Sequence, residues 1–402
     1  MKIKYLTNNL FFALAILALT SCADNDVYNP NNAKNTGDLK VPANFLWTTT
    51  RTETCSIQSS VTTQVSIYSD KECKDNQLLA QVYVFKEKAT EVNLDLPTAC
   101  KKYYIQYPTA NGAKTLEVMP VTRTADSELV LPEDAIEQEE DIATGTDFFY
   151  TPAKNTYGTI MFEDLYPAKG DYDFNDFIAG YNICTNLSRG NQNNVYDGIT
   201  IKLQIRAIGG SLPYRFGVEL TPLQTKYVRD NYTITSDTEG INMELITTND
   251  EDPAVFVVTG TNQLKDGPFY NTEKLSDKKM PVITCNISRN NKNDQVPASQ
   301  FTYLAYDLTS MNFFLQNTGT KEEIHLKGYP VTKFATNADT KFYTADNFIW
   351  GMKVPTSIPH AIEKTDFIKA YPKFASWVTS GGANDTDWYK TYNSDQVINP
   401  AK

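Results

Sequence analysis

Polar and apolar positions divide the chain into three regimes. Residues 10–19 are an unbroken apolar run behind Lys2 and Lys4. Residues 23–38 have almost nothing to bury and carry Asn25, Asn29, Asn31, Asn32 and Asn35, which predicts a flexible tether over 22–38. From Leu39 onward apolar and polar residues alternate at period two, the pattern of half-buried strands. Val92, Leu94 and Leu96 interleave with Glu91, Asn93 and Asp95, and Tyr103, Ile105 and Tyr107 precede an Asn111-Gly112 turn and a Leu116/Val118 return. Ile199, Ile201, Leu203 and Ile205 point one way while Thr200, Lys202, Gln204 and Arg206 point the other, before Gly209-Gly210. Tyr214, Phe216, Val218 and Leu220 repeat the pattern, and 254–258, 281–287 and 301–314 are further candidate strands.

Helical signal is confined to 365–379, where Phe367, Ile368, Phe374 and Trp377 are apolar, Pro372 splits the segment and Gly381 ends it. The expected fold is therefore mainly β. It comprises two antiparallel β-sandwich domains, a small one over 39–123 and a larger, jelly-roll-like one over 144–402 with one or two short helices near its C-terminus. Between Ala125 and Asp141 stand eight acidic residues and no basic one, around Pro132. Self-repulsion there predicts an extended acidic linker over 124–143.

The opening residues add a compartment. A charged start, an apolar run too short to span a bilayer and small residues before Cys22 form an export signal over 1–21. Leu19-Thr20-Ser21-Cys22 resembles the bacterial lipobox, in which the cysteine is acylated and becomes the first residue of the mature chain. Ala23-Asp24-Asn25-Asp26 is similar to the acidic tether starts of surface-exposed lipoproteins in Bacteroidetes. Several acyl chains, at about 0.8 kcal/mol per buried methylene, make such an anchor effectively permanent. The expectation is a lipid-anchored outer-membrane protein facing the cell exterior, with the membrane as its first partner.

Charge and residue counts narrow the chemistry. The formal charge of −11 becomes −13 without Lys2 and Lys4, which argues against nucleic acid and favours cations. With Cys22 lipidated, Cys55, Cys73, Cys100, Cys184 and Cys285 remain; five cannot all pair, and free thiols and one or two bridges both stay open. Only two histidines exist, His325 in an alternating segment and His360 after Pro359, and both read as structural. Neither lies in a nucleophile motif, their number excludes a histidine-rich zinc centre, and no glycine-rich phosphate loop occurs.

The densest chemistry lies at Phe162-Glu163-Asp164-Leu165 and Gly170-Asp171-Tyr172-Asp173-Phe174-Asn175-Asp176-Phe177. Asp171, Asp173 and Asn175 fall at every second residue, so an extended chain would place three oxygen donors on one side and Tyr172, Phe174 and Phe177 on the other. Crowded carboxylates repel and raise one another's pKa, a cost that a hard divalent cation removes. Calcium takes six to eight oxygens, about 2.3–2.6 Å away. The spacing begins like an EF-hand and then departs from it, with Asp176 at the sixth position and Asn182 at the twelfth. A Ca²⁺ site of Glu163, Asp164, Asp171, Asp173, Asn175 and Asp176 is one expectation. Asx turns without metal are the plainer one.

The stretch from Phe162 to Pro167 and then from Gly170 to Asp176 resembles the signature of LruC-domain proteins. Ile324-His325-Leu326-Lys327-Gly328-Tyr329-Pro330, Trp350-Gly351-Met352-Lys353-Val354-Pro355 and Thr386-Asp387-Trp388-Tyr389 extend that resemblance over roughly 144–392. It implies an exported or outer-membrane β-domain of Gram-negative bacteria with no established catalysis. The expected role is thus a non-catalytic binding, adhesion or structural module. Trp350, Trp388 and Tyr389 are the candidate contact groups for a surface glycan or protein, with core packing the plainer reading of each. Two alternatives stand beside it. One is a polysaccharide-acting enzyme using Glu163 with Asp171 or Asp173, and the other is a polymerising fimbrial subunit joined by strand exchange.

Overall fold

The computed structural model describes residues 33–120, 128–138, 146–190, 193–288, 311–338 and 341–400. Cys22, the export signal and tether residues 23–32 lie outside them, as do 301–310 of the last candidate strand. The chain is mainly β, as its alternation predicts. The strands are β1 (Thr50–Gln58), β2 (Thr63–Tyr68), β3 (Leu78–Val84), β4 (Thr90–Pro97), β5 (Tyr103–Thr109), β6 (Gly112–Val118) and β7 (Glu128–Val130), then β8 (Thr146–Thr151), β9 (Gly158–Phe162), β10 (Phe177–Gly190), β11 (Asn193–Ala207) and β12 (Tyr214–Gln224). Helix α1 (Thr225–Val228) precedes β13 (Tyr232–Ser236), β14 (Asn242–Ile246), β15 (Pro253–Thr259), β16 (Val282–Ser288), β17 (Met311–Asn317), β18 (Glu323–His325), β19 (Gly351–Val354) and β20 (His360–Ala361). Helices α2 (Phe367–Ala370) and α3 (Phe374–Thr379) and strand β21 (Val397–Ile398) end the chain.

Among the described residues, three large cores hold most of these elements, with a small fourth cluster of Val255, Val257 and Phe314. Val92, Leu94 and Leu96 of β4 and Tyr103, Ile105 and Tyr107 of β5 are buried as their alternation predicts, in a core between the sheet β4-β1-β7 and strands β2, β3 and β5. The larger core lies between β9, β10, β11 and β16 on one side and β12, β15 and β17 on the other, with Ile199, Ile201, Leu203 and Ile205 facing Phe216, Val218, Leu220 and Phe256. The third gathers α2, α3 and the final turns: Phe367, Phe374, Trp377 and Trp388 pack there with Leu39, Phe45 and Trp47 from the start of the described chain. Pro372 separates α2 from α3 as expected, and Gly381 and Gly382 (φ +64° and +85°) turn the chain after α3.

Four parts of the expected layout are corrected. The two sandwiches are not separate sheets, because β8 pairs with β10 on one edge and with β3 on the other, so one sheet runs through both in the order β13-β16-β11-β10-β8-β3-β2-β5-β6. The acidic linker is not free over 128–138. There β7 pairs parallel to β1, and Leu129, Leu131 and Ala135 pack into the first core, so three well-spaced apolar residues outweigh the surrounding charge. The tether is docked from residue 33. Thr36 is buried, its N–H donates to both Asp366 oxygens at 2.8 and 3.0 Å, and its hydroxyl donates to Asp366 Oδ1 at 2.7 Å. Likewise 39–49, read as part of the first domain, contribute Leu39, Phe45 and Trp47 to the third core. The described cysteines are all free thiols, with Cys55 and Cys285 buried.

Candidate metal centre

Phe162 ends β9 inside the larger core, so the two acids that follow it start from a fixed point. Glu163 is fully buried, and its backbone N–H donates to Trp350 O at 2.8 Å. The chain then returns over 170–176 and wraps the Glu163 carboxylate: Phe174 N donates to Oε1 at 2.6 Å and Tyr172 N faces Oε2 at 3.4 Å. This loop is not the extended strand its spacing suggests. Tyr172 and Phe174 have φ of +58° and +53°, while Asp171, Asp173 and Asn175 stay at negative φ. Alternating handedness turns N–H groups toward one point, a concave nest, and here it holds the Glu163 carboxyl group. The strain is held by burial of Tyr172 and Phe174 in the third core, beside Phe348 and Phe367.

The six sequence-predicted ligands come together unequally. One oxygen from each of Glu163, Asp171 and Asp173 lies within 4.8 Å of the others, with Glu163 and Asp173 buried and Asp171 exposed at the mouth. Asp173 accepts Asn175 N at 3.1 Å and Lys364 N at 2.8 Å, so this acid joins the loop to the C-terminal region. Asn175 is fully buried; its Nδ2 donates to Ala361 O at 3.2 Å, whereas its Oδ1 has no partner. Asp176 Oδ2 accepts the Asp164 N–H at 2.7 Å, and buried Asp164 Oδ2 is also without a partner.

Two elements that the spacing did not reveal complete the surroundings. Gly170, Gly209 and Gly210 let the acids approach the backbone: a Cβ on each would lie 1.8 Å from Glu163 Oε2, 2.3 Å from Asn175 Oδ1 and 2.1 Å from Asp164 Oδ2. Glu363, beyond β20, brings another buried oxygen without a partner. No local pattern could have announced Glu363, since only the fold carries it to this loop.

The electrostatics follow from burial. Desolvation, then the Asp176 and Asp173 charges, push Glu163 well above the usual carboxylate range. Asp173 is pushed up to about 8 by burial and by Asp171, and Asp176 to about 8 by burial and by Asp164. Asp164 and Glu363 are raised in the same way, desolvation leading. Lys265, whose Nζ donates to Gly210 O at 2.8 Å, supplies nearby positive charge but forms no ion pair with these acids. A site so arranged can hold protons or a hard cation.

The remaining predicted residues are framework. Trp350, Trp388 and Tyr389 are buried and do not form a contact surface. Trp350 Nε1 donates to Ala168 O at 2.8 Å, and Trp388 stands edge-on to Phe367, Tyr371 and Phe374. Both histidines are buried. His325 places Nε2 2.9 Å from Glu323 Oε2 and Nδ1 2.6 Å from Asn312 Oδ1, while Glu323 also accepts from Gln316 Nε2 and from the N–H and hydroxyl of Thr332. His360 Nε2 faces Asn271 O at 2.6 Å, and desolvation lowers its pKa to about 4, so it is neutral.

Two family models match the chain. Residues 63–131 match a domain of unknown function, DUF4841, and residues 193–389 match another, DUF4842. Neither is the LruC domain that the motifs resemble, and 162–177 lie between the two matched spans. Comparison with curated proteins gives no match. Among solved structures, the chain is similar to a candidate lipoprotein from Bacteroides ovatus, with a TM-score of 0.68 and 24% identity over 84% of this chain and 99% of that one. That likeness shows a shared fold.

Proposed function

We propose that this is a lipid-anchored cell-envelope protein whose β-framework acts without catalysis, as a binding or structural module, and whose acidic loop is closed by calcium. The observation that carries the reading is the cluster of Glu163, Asp171 and Asp173 oxygens within 4.8 Å of one another, two of the three acids being buried. Asp164, Asn175, Asp176 and Glu363 would complete the oxygen shell, and unpartnered oxygens on three of these fit the demand of calcium for many oxygen donors. The cation would offset repulsion that the fold otherwise relieves only by keeping protons at neutral pH. Burial of Glu163, with its carboxylate engaged by two backbone N–H groups, supports a structural over a glycosidic role, because a polymer substrate has no path to that carboxyl.

Anchoring rests on the Leu19-Thr20-Ser21-Cys22 motif and on the shared fold with the Bacteroides candidate lipoprotein. An outer-membrane, outward-facing position belongs to the same proposal. The test is isothermal titration of the purified mature chain with calcium, using Asp173→Asn as control, alongside fatty-acid labelling in cells with Cys22→Ser. Saturable binding lost in Asp173→Asn, with labelling lost in Cys22→Ser, is expected. Absence of calcium binding overturns the cation site, and persistent labelling of Cys22→Ser overturns the anchor.

A further inference from the structure

Trp350, Trp388 and Tyr389 are buried, but another pair of aromatic rings stands on the outer face of the sheet that runs through both sandwiches. Strand β8, the seam of that sheet, sets its two faces by alternation. Phe149 packs inward against both sandwich cores, so Phe148 and Tyr150 point outward, each half-buried. Their rings follow one another along the strand, with centres 6.3 Å apart and planes 13° from parallel.

Residues directly opposite one another in antiparallel strands share a face, so the pairing register extends this surface to either side. Phe148 lies opposite Gln81 of β3 and Asn186 of β10, and beyond Gln81 come Ser66 of β2 and Gln106 of β5. Tyr150 lies opposite Cys184 of β10, followed by Thr200 of β11 and Asn286 of β16. All of these side chains are half-buried, whereas the alternate positions Val65, Ile67, Ile105, Ile201 and Cys285 are buried in the cores. One side of the sheet is thus core and the other meets solvent. Lys202 and its partner Asn182 mark one margin, where Asn182 Nδ2 donates to Ala153 O at 2.8 Å and to Thr156 O at 2.6 Å.

None of the named positions in the two rows is charged, in a chain of which 21% is. Their polar groups hold one another in place: Gln81 Nε2 donates to Ser66 Oγ at 3.3 Å and Thr200 Oγ1 to Asn286 Oδ1 at 2.8 Å. Each pair keeps further donors and acceptors for a ligand. A charged ligand would find no counter-charge in these rows, and an apolar one would leave amides and hydroxyls unpaired. A peptide added as a strand needs a sheet edge, and the strands that carry these residues lie inside the sheet. Aromatic rings flanked by fixed, neutral hydrogen-bonding groups instead match a sugar, with its apolar C–H face and its rim of hydroxyls.

We infer that this outer face binds an uncharged oligosaccharide laid along β8, its sugar rings on Phe148 and Tyr150 and its hydroxyls on Gln81 and Asn186 to either side. Two aromatic rings in line favour a chain over a single sugar. The inference rests on the reading of this protein as a binding module, and it uses no residue of the anchor or the cation site. It is tested with the full mature chain in a sugar-free detergent at fixed calcium. The probes are an array of α- and β-linked hexasaccharides of glucose, mannose and galactose, with hexagalacturonate as the charged control, followed by isothermal titration of the strongest binder.

A neutral hexasaccharide should bind saturably, and hexagalacturonate about tenfold or more weaker. Phe148→Ala and Gln81→Ala should each weaken the neutral ligand about tenfold, while Phe148→Tyr, which keeps the ring, should retain it. Gln81→Ala gives up one hydrogen bond to Ser66 and keeps the test valid if Phe148→Ala lowers the melting temperature. Release of reducing ends from a ligand whose binding still depends on Phe148 would support this face and overturn the non-catalytic reading. The inference is overturned by no saturable binding of any neutral probe up to about 10 mM, by hexagalacturonate binding as tightly, or by binding indifferent to both alanine substitutions; the anchor and the cation site would then stand.

Discussion

With no cation at the acidic loop, this protein should become progressively less stable as pH rises. Asp173 and Asp176 each titrate near 8 in the folded chain, against an ordinary value of 3.8. The folded state therefore holds these protons more tightly than the unfolded chain does. Their contribution is fully present below about pH 4 and is lost as pH rises through about 8. A displacement of that size is worth about 6 kcal/mol for one isolated group. Charges that raise one another give less than the sum, so a loss of about 3–5 kcal/mol across the two is expected, against a total stability of about 5–15 kcal/mol. At about 2 °C per kcal/mol, the melting temperature in chelator should fall by about 6–10 °C between about pH 5.5 and 8.5. Calcium at a hundred times its dissociation constant restores about 2.7 kcal/mol and should flatten the profile. Scanning calorimetry in chelator and in calcium reads both effects. A melting temperature indifferent to pH in chelator and to calcium at pH 8 would refute the reasoning.

Three further outcomes follow from geometry. Gly210→Ala places a Cβ 2.1 Å from Asp164 Oδ2 and should cost about 1–3 kcal/mol while weakening calcium; thermal melts and calcium titration check it. Glu323→Ala leaves His325, Gln316 and Thr332 without a shared acceptor and should cost about 3–5 kcal/mol by denaturant titration. Trp388→Ala empties a fully buried aromatic site and should cost about 3–5 kcal/mol without altering affinity for any surface glycan that the intact chain binds, which separates packing from contact in a glycan-array comparison.

Much of this fold was legible because period-two alternation is itself a record of burial. It placed the inward faces of β4, β5, β11 and β12 correctly. It could not register what depends on distant chain. Pairing of β3 with β8 joins the sandwiches across residues that carry no mutual signal in sequence. Counting charges hid Leu129, Leu131 and Ala135, whose spacing docks an acidic stretch while its carboxylates stay exposed. Aromatic chemistry left Trp350, Trp388 and Tyr389 open as either contacts or core, and their burial decides for the core. At the acidic loop the sequence singled out acids of which the fold gathers Glu163, Asp171 and Asp173, but for a partly wrong reason. The alternation comes from left-handed Tyr172 and Phe174, not from a strand, and Glu363 arrives from near the far end of the chain.

The clasp between Thr36 and Asp366 has a mechanical meaning. Ten residues separate Cys22 from Ala33, so with lipid on Cys22 the body is leashed within about 35–40 Å of the bilayer even at full extension. Any pull transmitted along that leash arrives first at Thr36, whose three bonds to Asp366 tie the entering chain to the residue that caps α2. Gly37 lies against the Tyr172 ring, 3.4 Å from where a side chain would begin. Tension on a lipid anchor would therefore arrive beside Tyr172 of the acidic loop, next to the proposed cation site.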